Sequence, residues 1–269
     1  MEDEKKTFTG MKENHIEGRN AVLEAFRSGR TIDKLYVLDG CQDGPVRSIT
    51  REARKHDTIV NYVTKERLDQ ISETGKHQGV IAVSAAYDYA RVEDILALAE
   101  KKGEPPFILI LDGIEDPHNL GAIIRTANQA GAHGVIIPKR RAVGLTPTVA
   151  RTSAGAVNYV PVAKVTNISN TMKELKDRGM WFVCADMDGT LMYDMDLTGP
   201  IGLVIGNEGD GVSPLVKKNC DMVASIPMKG DIDSLNASVA AGVLSYEIVR
   251  QRMKTVSYTH LRAHETTLH

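Results

Sequence analysis

The sequence predicts an α/β protein: a small mixed unit followed by a larger one built on a parallel sheet. Three observations predict it. Short apolar runs of strand length, such as 107–111 (FILIL) and 201–205 (IGLVI), alternate with segments of helical period along most of the chain. The alternation breaks once, in the charged stretch 88–104 that contains KKGEPP, and so falls into two blocks. Glycine-rich or polar segments follow directly on three of the apolar runs, where ligand loops sit at the carboxyl ends of parallel strands.

Taken in order, residues 1–13 read as a disordered lead-in, with Met11 a candidate later start. HIEGRNAVLEAFRSG, from His15, reads as an amphipathic helix with Val22, Leu23 and Phe26 on one face and Ser28-Gly29 closing it. Strands at 35–38, 59–63 and 80–85, with helices at 45–56 and 65–72, complete a unit spanning 14–87. Residues 88–104 read as a linker with room for a helix at 92–101. The second unit, 105–254, predicts strands at 107–111, 134–137, 160–162, 180–184, 201–205 and 223–227. Helices are expected at 119–130, 146–154 and 169–178, and from 237 to about 250, where Ser234 or Asn236 can cap as Asn119 can cap the first. Residues 255–269 carry three of the eight histidines in their last ten positions and no apolar period. They read as a tail outside the native fold, a read-through or a scar; a histidine metal site there would lack a scaffold to fix its geometry.

Composition excludes several classes. The 269 residues suffice for two domains, and 42% hydrophobic with 25% charged is ordinary for a globular protein. No apolar run approaches membrane-spanning length and the polar start MEDEKKTFTGMKEN is no signal peptide, so a cytoplasmic protein without a membrane partner is expected. Cys41, Cys184 and Cys220 are scattered without CxxC spacing, which predicts neither zinc nor a disulfide framework. A net charge of −2 does not announce a nucleic-acid binder, but two local clusters do more: Lys139-Arg140-Arg141 with Arg151, and Arg47, Arg51, Arg54 and Lys55 on a helical segment.

Three segments read NLGAIIRTA from Asn119, LVIGNEGDGVS from Leu203, and IPMKGDIDSLNASVA from Ile226. Together they resemble the three motifs of the SpoU (TrmH-type) RNA 2′-O-ribose methyltransferases, over the chain from about His15 to Lys254. The resemblance implies S-adenosylmethionine as cofactor, RNA as substrate, a homodimer packed through the first motif helix and the last helix, and an RNA site using both subunits. It also implies a deep trefoil knot in the second unit, which carries no GxGxxG fingerprint, and a first unit similar to a ribosomal-protein fold that grips RNA. Gly206, Ile226, Met228 and Leu235 fall where the family holds its cofactor. Arg125, Asn119, Glu208, Ser234 and Asn236 match its catalytic positions, with Arg125 activating the 2′-hydroxyl. A guanidinium stays protonated, so Arg125 suits a phosphate and oxyanion clamp better than a base. Glu208, between two glycines, could hold Arg125 or a ribose hydroxyl.

Within the family, a first unit of this type, with its HxEGxNAVxEA start and HQGVIA close, together with GNEGxG and IPMxGxIxSLNASVA, is most similar to enzymes acting on a guanosine of 23S ribosomal RNA; transfer RNA is the alternative substrate. Two readings from other classes compete. WFVCADMDGT, from Trp181, resembles the DxDGT signature of haloacid-dehalogenase phosphatases, with Asp186 as nucleophile and Asp188 as acid, and a non-catalytic RNA-binding homologue would keep the fold without the chemistry.

Overall fold

A computed structural model describes residues 14–231 and 234–265, the last of these from 254 onward as backbone alone, and the chain divides into two units. The first, residues 14–88 with 144–147, runs β1 (His15–Glu17), α1 (Arg19–Arg27), β2 (Ile32–Leu38), α2 (Gly44–Lys55), β3 (Ile59–Val63), α3 (Lys65–Ile71) and β4 (Val80–Ser84). Its sheet has the order β1-β4-β2-β3, with β2 and β3 parallel and the other neighbours antiparallel. The helix expected from His15 begins only at Arg19. His15, Ile16 and Glu17 pair instead with Val83, Ala82 and Ile81, and Gly18, at φ 88°, makes the turn between strand and helix that a side chain would resist. Helices α1 and α2 bury Val22, Phe26, Val46, Ile49 and Ala53 against Leu35, Val37 and Val80 of the sheet.

The second unit runs α4 (Val92–Lys102), β5 (Phe107–Asp112), α5 (Pro117–Gln129), β6 (Gly134–Pro138), α6 (Pro147–Thr152), β7 (Val162–Val165) and α7 (Ile168–Lys176). It continues with β8 (Trp181–Leu191), β9 (Ile201–Gly206), α8 (Pro214–Lys218), β10 (Met222–Ser225) and α9 (Ala237–Glu265). All six strands are parallel, in the order β10-β8-β9-β5-β6-β7. From β5 the chain moves outward through β6 to β7; from β9 it moves the other way, to β10. The order therefore reverses between the adjacent strands β5 and β9, and the crevice beyond their carboxyl ends is where an open α/β sheet binds ligands. This order is consistent with the trefoil knot that the family resemblance implies.

The element bounds differ in detail from the sequence reading. Helix α4 occupies the expected linker because Ile95, fully buried, fills the space that Gly134 leaves; a Cβ there would come within 2.6 Å of it. Strand β7 starts at Val162 rather than 160. Strand β8 runs on to Leu191 because Thr190 and Leu191 pair with Ala224 and Ser225 of β10. Helix α9 continues as backbone through Glu265, beyond the boundary expected at 254; residues 266–269 lie outside the described residues. Ahead of that, Arg252 anchors the helix on the carbonyls of Pro105, Pro106 and Gly199.

His133, fully buried at the entry to β6, ties β5 to this frame. Its Nδ1 accepts the Phe107 N–H at 3.0 Å, which places the proton on Nε2, 3.1 Å from the Glu104 carboxylate. Burial, assisted by the charge of Lys102, pushes the imidazole below its ordinary pKa. As pH falls through the unfolded value of about 6.5, the unfolded chain gains a proton that the folded chain refuses, and stability is lost until the lower folded pKa is reached. The stability advantage of the wild type over His133→Gln is therefore expected to shrink between about pH 7 and about pH 5, measured by calorimetric melting. A difference constant across that range would show that the imidazole titrates alike in the folded and unfolded chain, and an advantage that grows on acidification would show it protonated in the native state.

Candidate active site

The site is assembled at the β5–β9 crevice by three chain segments. Helix α5 starts half a turn earlier than the sequence suggested, because Asp116-Pro117 is the stronger opening: the Asp116 carboxylate accepts the His118 N–H at 2.9 Å, and Pro117 takes the position where no N–H is needed. Asn119 is thus not the cap. Its side chain, 8% exposed, is released to face the loop after β9, where Nδ2 donates to Glu208 Oε1 at 2.9 Å. Asn236 Nδ2 donates to Asn119 Oδ1 at 3.0 Å and also to Glu208 Oε1. The Asn236 Oδ1 accepts the N–H groups of Ser238 at 2.9 Å and Val239 at 3.3 Å, so this residue caps α9 and closes the triangle at once.

Residues 207–211 form a tight loop in which Asn207 Oδ1 accepts the N–H groups of Gly209 and Asp210. The preceding Gly206 is demanded by close approach, since a Cβ on it would lie 2.0 Å from the carbonyl carbon of Gly211. On one side of this loop is a cavity of about 370 Å³, which brings together Gly206, Glu208, Ile226, Met228, Ser234 and Leu235. On the other side, a second cavity of about 790 Å³ is lined by Asp112, Glu115, Asp116 and Asp210, with Arg141 the cation among them. The same five residues, 207–211, line both.

Arg125 is not brought in. It lies six residues along α5 from Asn119, which carries it about 9 Å up the axis and onto another face; it is exposed and lines neither cavity. Glu208 takes two side-chain amides in place of the Arg125 partner that the sequence allowed.

One wall of the smaller cavity was missed by the sequence reading. Pairing of β8 with β10 steps from Cys184 to Thr190, so residues 185–189 arch out of the ladder and carry Ala185, Asp186 and Met187 to the cavity. This arch is the phosphatase-like DMDG stretch. Asp186 pairs with Lys217 at 2.6 Å, and the ammonium holds its carboxyl below the usual carboxylate range while the carboxylate raises the lysine. The available signal was Gly189, where a Cβ would strike the Val223 carbonyl oxygen at 2.4 Å: a glycine in an otherwise strand-like run marks an irregularity. Among the described residues, no group of three or more His, Cys, Asp or Glu could hold a metal ion.

With this geometry in place, comparison with known proteins is informative. The profile of the SpoU rRNA Methylase family matches residues 106–246, and that of the RNA 2′-O ribose methyltransferase substrate-binding domain matches residues 15–90. The chain belongs to the SpoU methyltransferase family. It is 49% identical over 240 residues to the putative TrmH family tRNA/rRNA methyltransferase YacO of Bacillus subtilis, covering 89% of this chain and 96% of that one. Among solved structures, the SpoU methyltransferase AviRb of Streptomyces viridochromogenes in complex with AdoMet (S-adenosylmethionine) is 28% identical, with TM-score 0.57 and coverage of 89% and 90%. An AdoMet-bound rRNA methyltransferase of Sinorhizobium meliloti is 26% identical, with TM-score 0.55 over 88% of this chain and 86% of its own. The TrmH/SpoU tRNA modifying enzyme of A. aeolicus, 30% identical with TM-score 0.52, covers 62% of this chain and 86% of its own.

The protein is thus an RNA methyltransferase of the SpoU/TrmH family that uses S-adenosylmethionine, and no described helix is long and apolar enough to cross a membrane. The residues of the smaller cavity fit that cofactor. Its volume is that of a small-molecule site, Ile226, Met228 and Leu235 supply apolar surface, and the backbone of 206–211 supplies donors and acceptors. Because Gly206 abuts backbone rather than a movable side chain, Gly206→Ala is expected to displace the loop and weaken S-adenosylmethionine about tenfold or more, read by isothermal titration. Unchanged affinity would show that the loop does not shape the cofactor cavity.

Proposed function

We propose that the protein methylates a ribose 2′-hydroxyl, that of a guanosine in 23S ribosomal RNA. The observation that carries this reading is the pair of cavities that share the 207–211 loop and meet at Glu208, the one corner of the Asn119–Glu208–Asn236 triangle that lines both: two reactants, one in each cavity, can be brought together at that edge. Methyl transfer to an alcohol is an in-line displacement, and its cost is chiefly alignment. S-adenosylmethionine, when bound, supplies an electrophilic methyl on a sulfonium sulfur. Gly206, Ile226, Met228 and Leu235 hold the cofactor. Glu208 has Oε1 engaged by both amides, which leaves Oε2 to accept a hydrogen bond from a ribose hydroxyl, and Ser234 lines the same cavity. The acidic lining of the second cavity repels phosphate but accepts the N1–H and N2–H donors of a guanine edge, which supports a guanosine target.

Ribosomal RNA is favoured over transfer RNA by coverage. The rRNA methyltransferase from S. meliloti is matched across both units, whereas the tRNA enzyme from A. aeolicus covers 62% of the chain. The deciding experiment is transfer from tritiated S-adenosylmethionine to unmodified 23S ribosomal RNA and, in parallel, to unmodified transfer RNA. Label at one alkali-resistant ribose of 23S RNA is expected; label on transfer RNA alone would overturn the substrate, and bound cofactor with no transfer to either would favour a non-catalytic homologue.

Arg125 is placed in this reading as an electrostatic clamp that acts across a homodimer. Its exposure, away from its own subunit's cavities, supports delivery to the partner's site. Helix α9 offers the contact surface: Val239, Tyr246 and Met253, exposed at 49, 52 and 68%, recur every seven residues and form one stripe. Arg125→Ala is expected to keep cofactor and RNA binding while turnover falls at least a hundredfold, about 3 kcal/mol of transition-state stabilisation. Mixing and re-equilibrating inactive Arg125→Ala and Glu208→Ala dimers should restore about a quarter of wild-type activity, since half the dimers are mixed and each mixed dimer holds one intact site. No recovery would place Arg125 in its own subunit's site.

A further inference from the structure

We propose that α2 and the β3 edge of the first unit form a landing surface for single-stranded RNA, with phosphates on Arg47, Arg51 and Arg54 and a base stacked on Tyr62; the proposal rests on the RNA substrate inferred above. The three arginines are spaced i, i+4 and i+7 and so share one face of α2, opposite the buried Val46, Ile49 and Ala53. They line a groove of about 530 Å³ together with Tyr62. Tyr62 lies on the edge strand β3 in register with the buried Val37, so it leaves the sheet on the side that α2 covers, and the residue is 55% exposed.

The neighbouring acids form no contact ion pair with these arginines, although Glu52 attracts Arg51 at longer range. Glu52 is engaged by Lys55 at 2.8 Å and Asp43 by Arg19 at 2.6 Å. Asp39, the acid in the groove lining, accepts the N–H of Gly40 at 2.9 Å. Among the described residues no ion pair involves Arg47, Arg51 or Arg54, in a chain whose net charge is −2. An acidic peptide would satisfy the guanidinium groups but has no use for the ring. An unstacked nucleotide uses both, since guanidinium forks match phosphate oxygens and every base presents a face to stack.

The test is equilibrium binding of a short fluorescein-labelled single-stranded RNA to the full chain across a salt series, for wild type, Arg47→Ala/Arg51→Ala/Arg54→Ala, Tyr62→Ala and Tyr62→Phe. The triple variant is expected to bind about tenfold or more weakly and to lower the slope of log K against log salt by about 2, at roughly 0.7 per phosphate contact. Tyr62→Ala should weaken binding several-fold with the slope unchanged, and Tyr62→Phe should restore it. Thermal melts verify that the first unit is folded, and S-adenosylmethionine titration of the same samples reports the second. Wild-type affinity and slope in the triple variant, while the wild type binds RNA, would overturn the landing surface and leave the methyltransferase reading intact. A wild type that neither binds RNA nor transfers methyl would overturn both. Loss of polyglutamate binding in the triple variant with RNA binding kept would assign the groove to an acidic protein and overturn the proposal.

Discussion

The second unit depends on one small set of hydrogen bonds, the triangle of Asn119, Glu208 and Asn236. Each corner lies on a different part of the chain: the first turn of α5, the loop after β9 and the residue that opens α9. Removing a corner leaves the other two with unsatisfied donors or acceptors at a partly buried site, a cost of about 1–3 kcal/mol. The triangle therefore fixes where α5 and α9 begin relative to the loop they flank. Asn236 does this twice over, since its Nδ2 holds the triangle while its Oδ1 caps α9.

That arrangement is possible because the sheet brings the right strand ends together. Residues 107–112 of β5 pair in register with 201–206 of β9, so Asp112 and Gly206 stand side by side where the strand order reverses. Asp112 reinforces the junction by accepting the N–H of Ser213 at 2.8 Å. The remaining strands are the platform: Ile108, Ile110, Phe182 and Val204 form an apolar layer beneath the crevice.

Much of this was legible in the sequence, for identifiable reasons. Runs such as FILIL and IGLVI are buried on both faces and contain nothing to disguise them, and the glycine-bounded GNEG could only be a turn at a strand end. Gly206, Ile226, Met228, Ser234 and Leu235 were placed by motif and do meet in one cavity. What local pattern could not convey was competition between neighbouring signals. Asn119 is a good cap, but Asp116-Pro117 three residues earlier is better, and only the outcome freed Asn119 for Glu208. His15 to Glu17 look helical by composition, yet a partner strand some 65 residues away claims them. The DMDG arch resembled a phosphatase loop because both need a strand to end in exposed acids; here Lys217, distant in sequence, neutralises the first of them. The position of Arg125 outside both cavities was likewise invisible in a spacing that fitted a shared helix end.

The shared wall between the two cavities has an energetic consequence. A ligand that settles on one face of 207–211 changes the freedom of the same backbone that the second ligand must meet. On the proposed reading, with cofactor on one face and nucleotide on the other, the two binding equilibria are linked, and linkage is reciprocal: whatever factor cofactor adds to the affinity for nucleotide, nucleotide adds to the affinity for cofactor. A five-residue loop that belongs to neither partner alone makes each site a sensor of the other's occupancy.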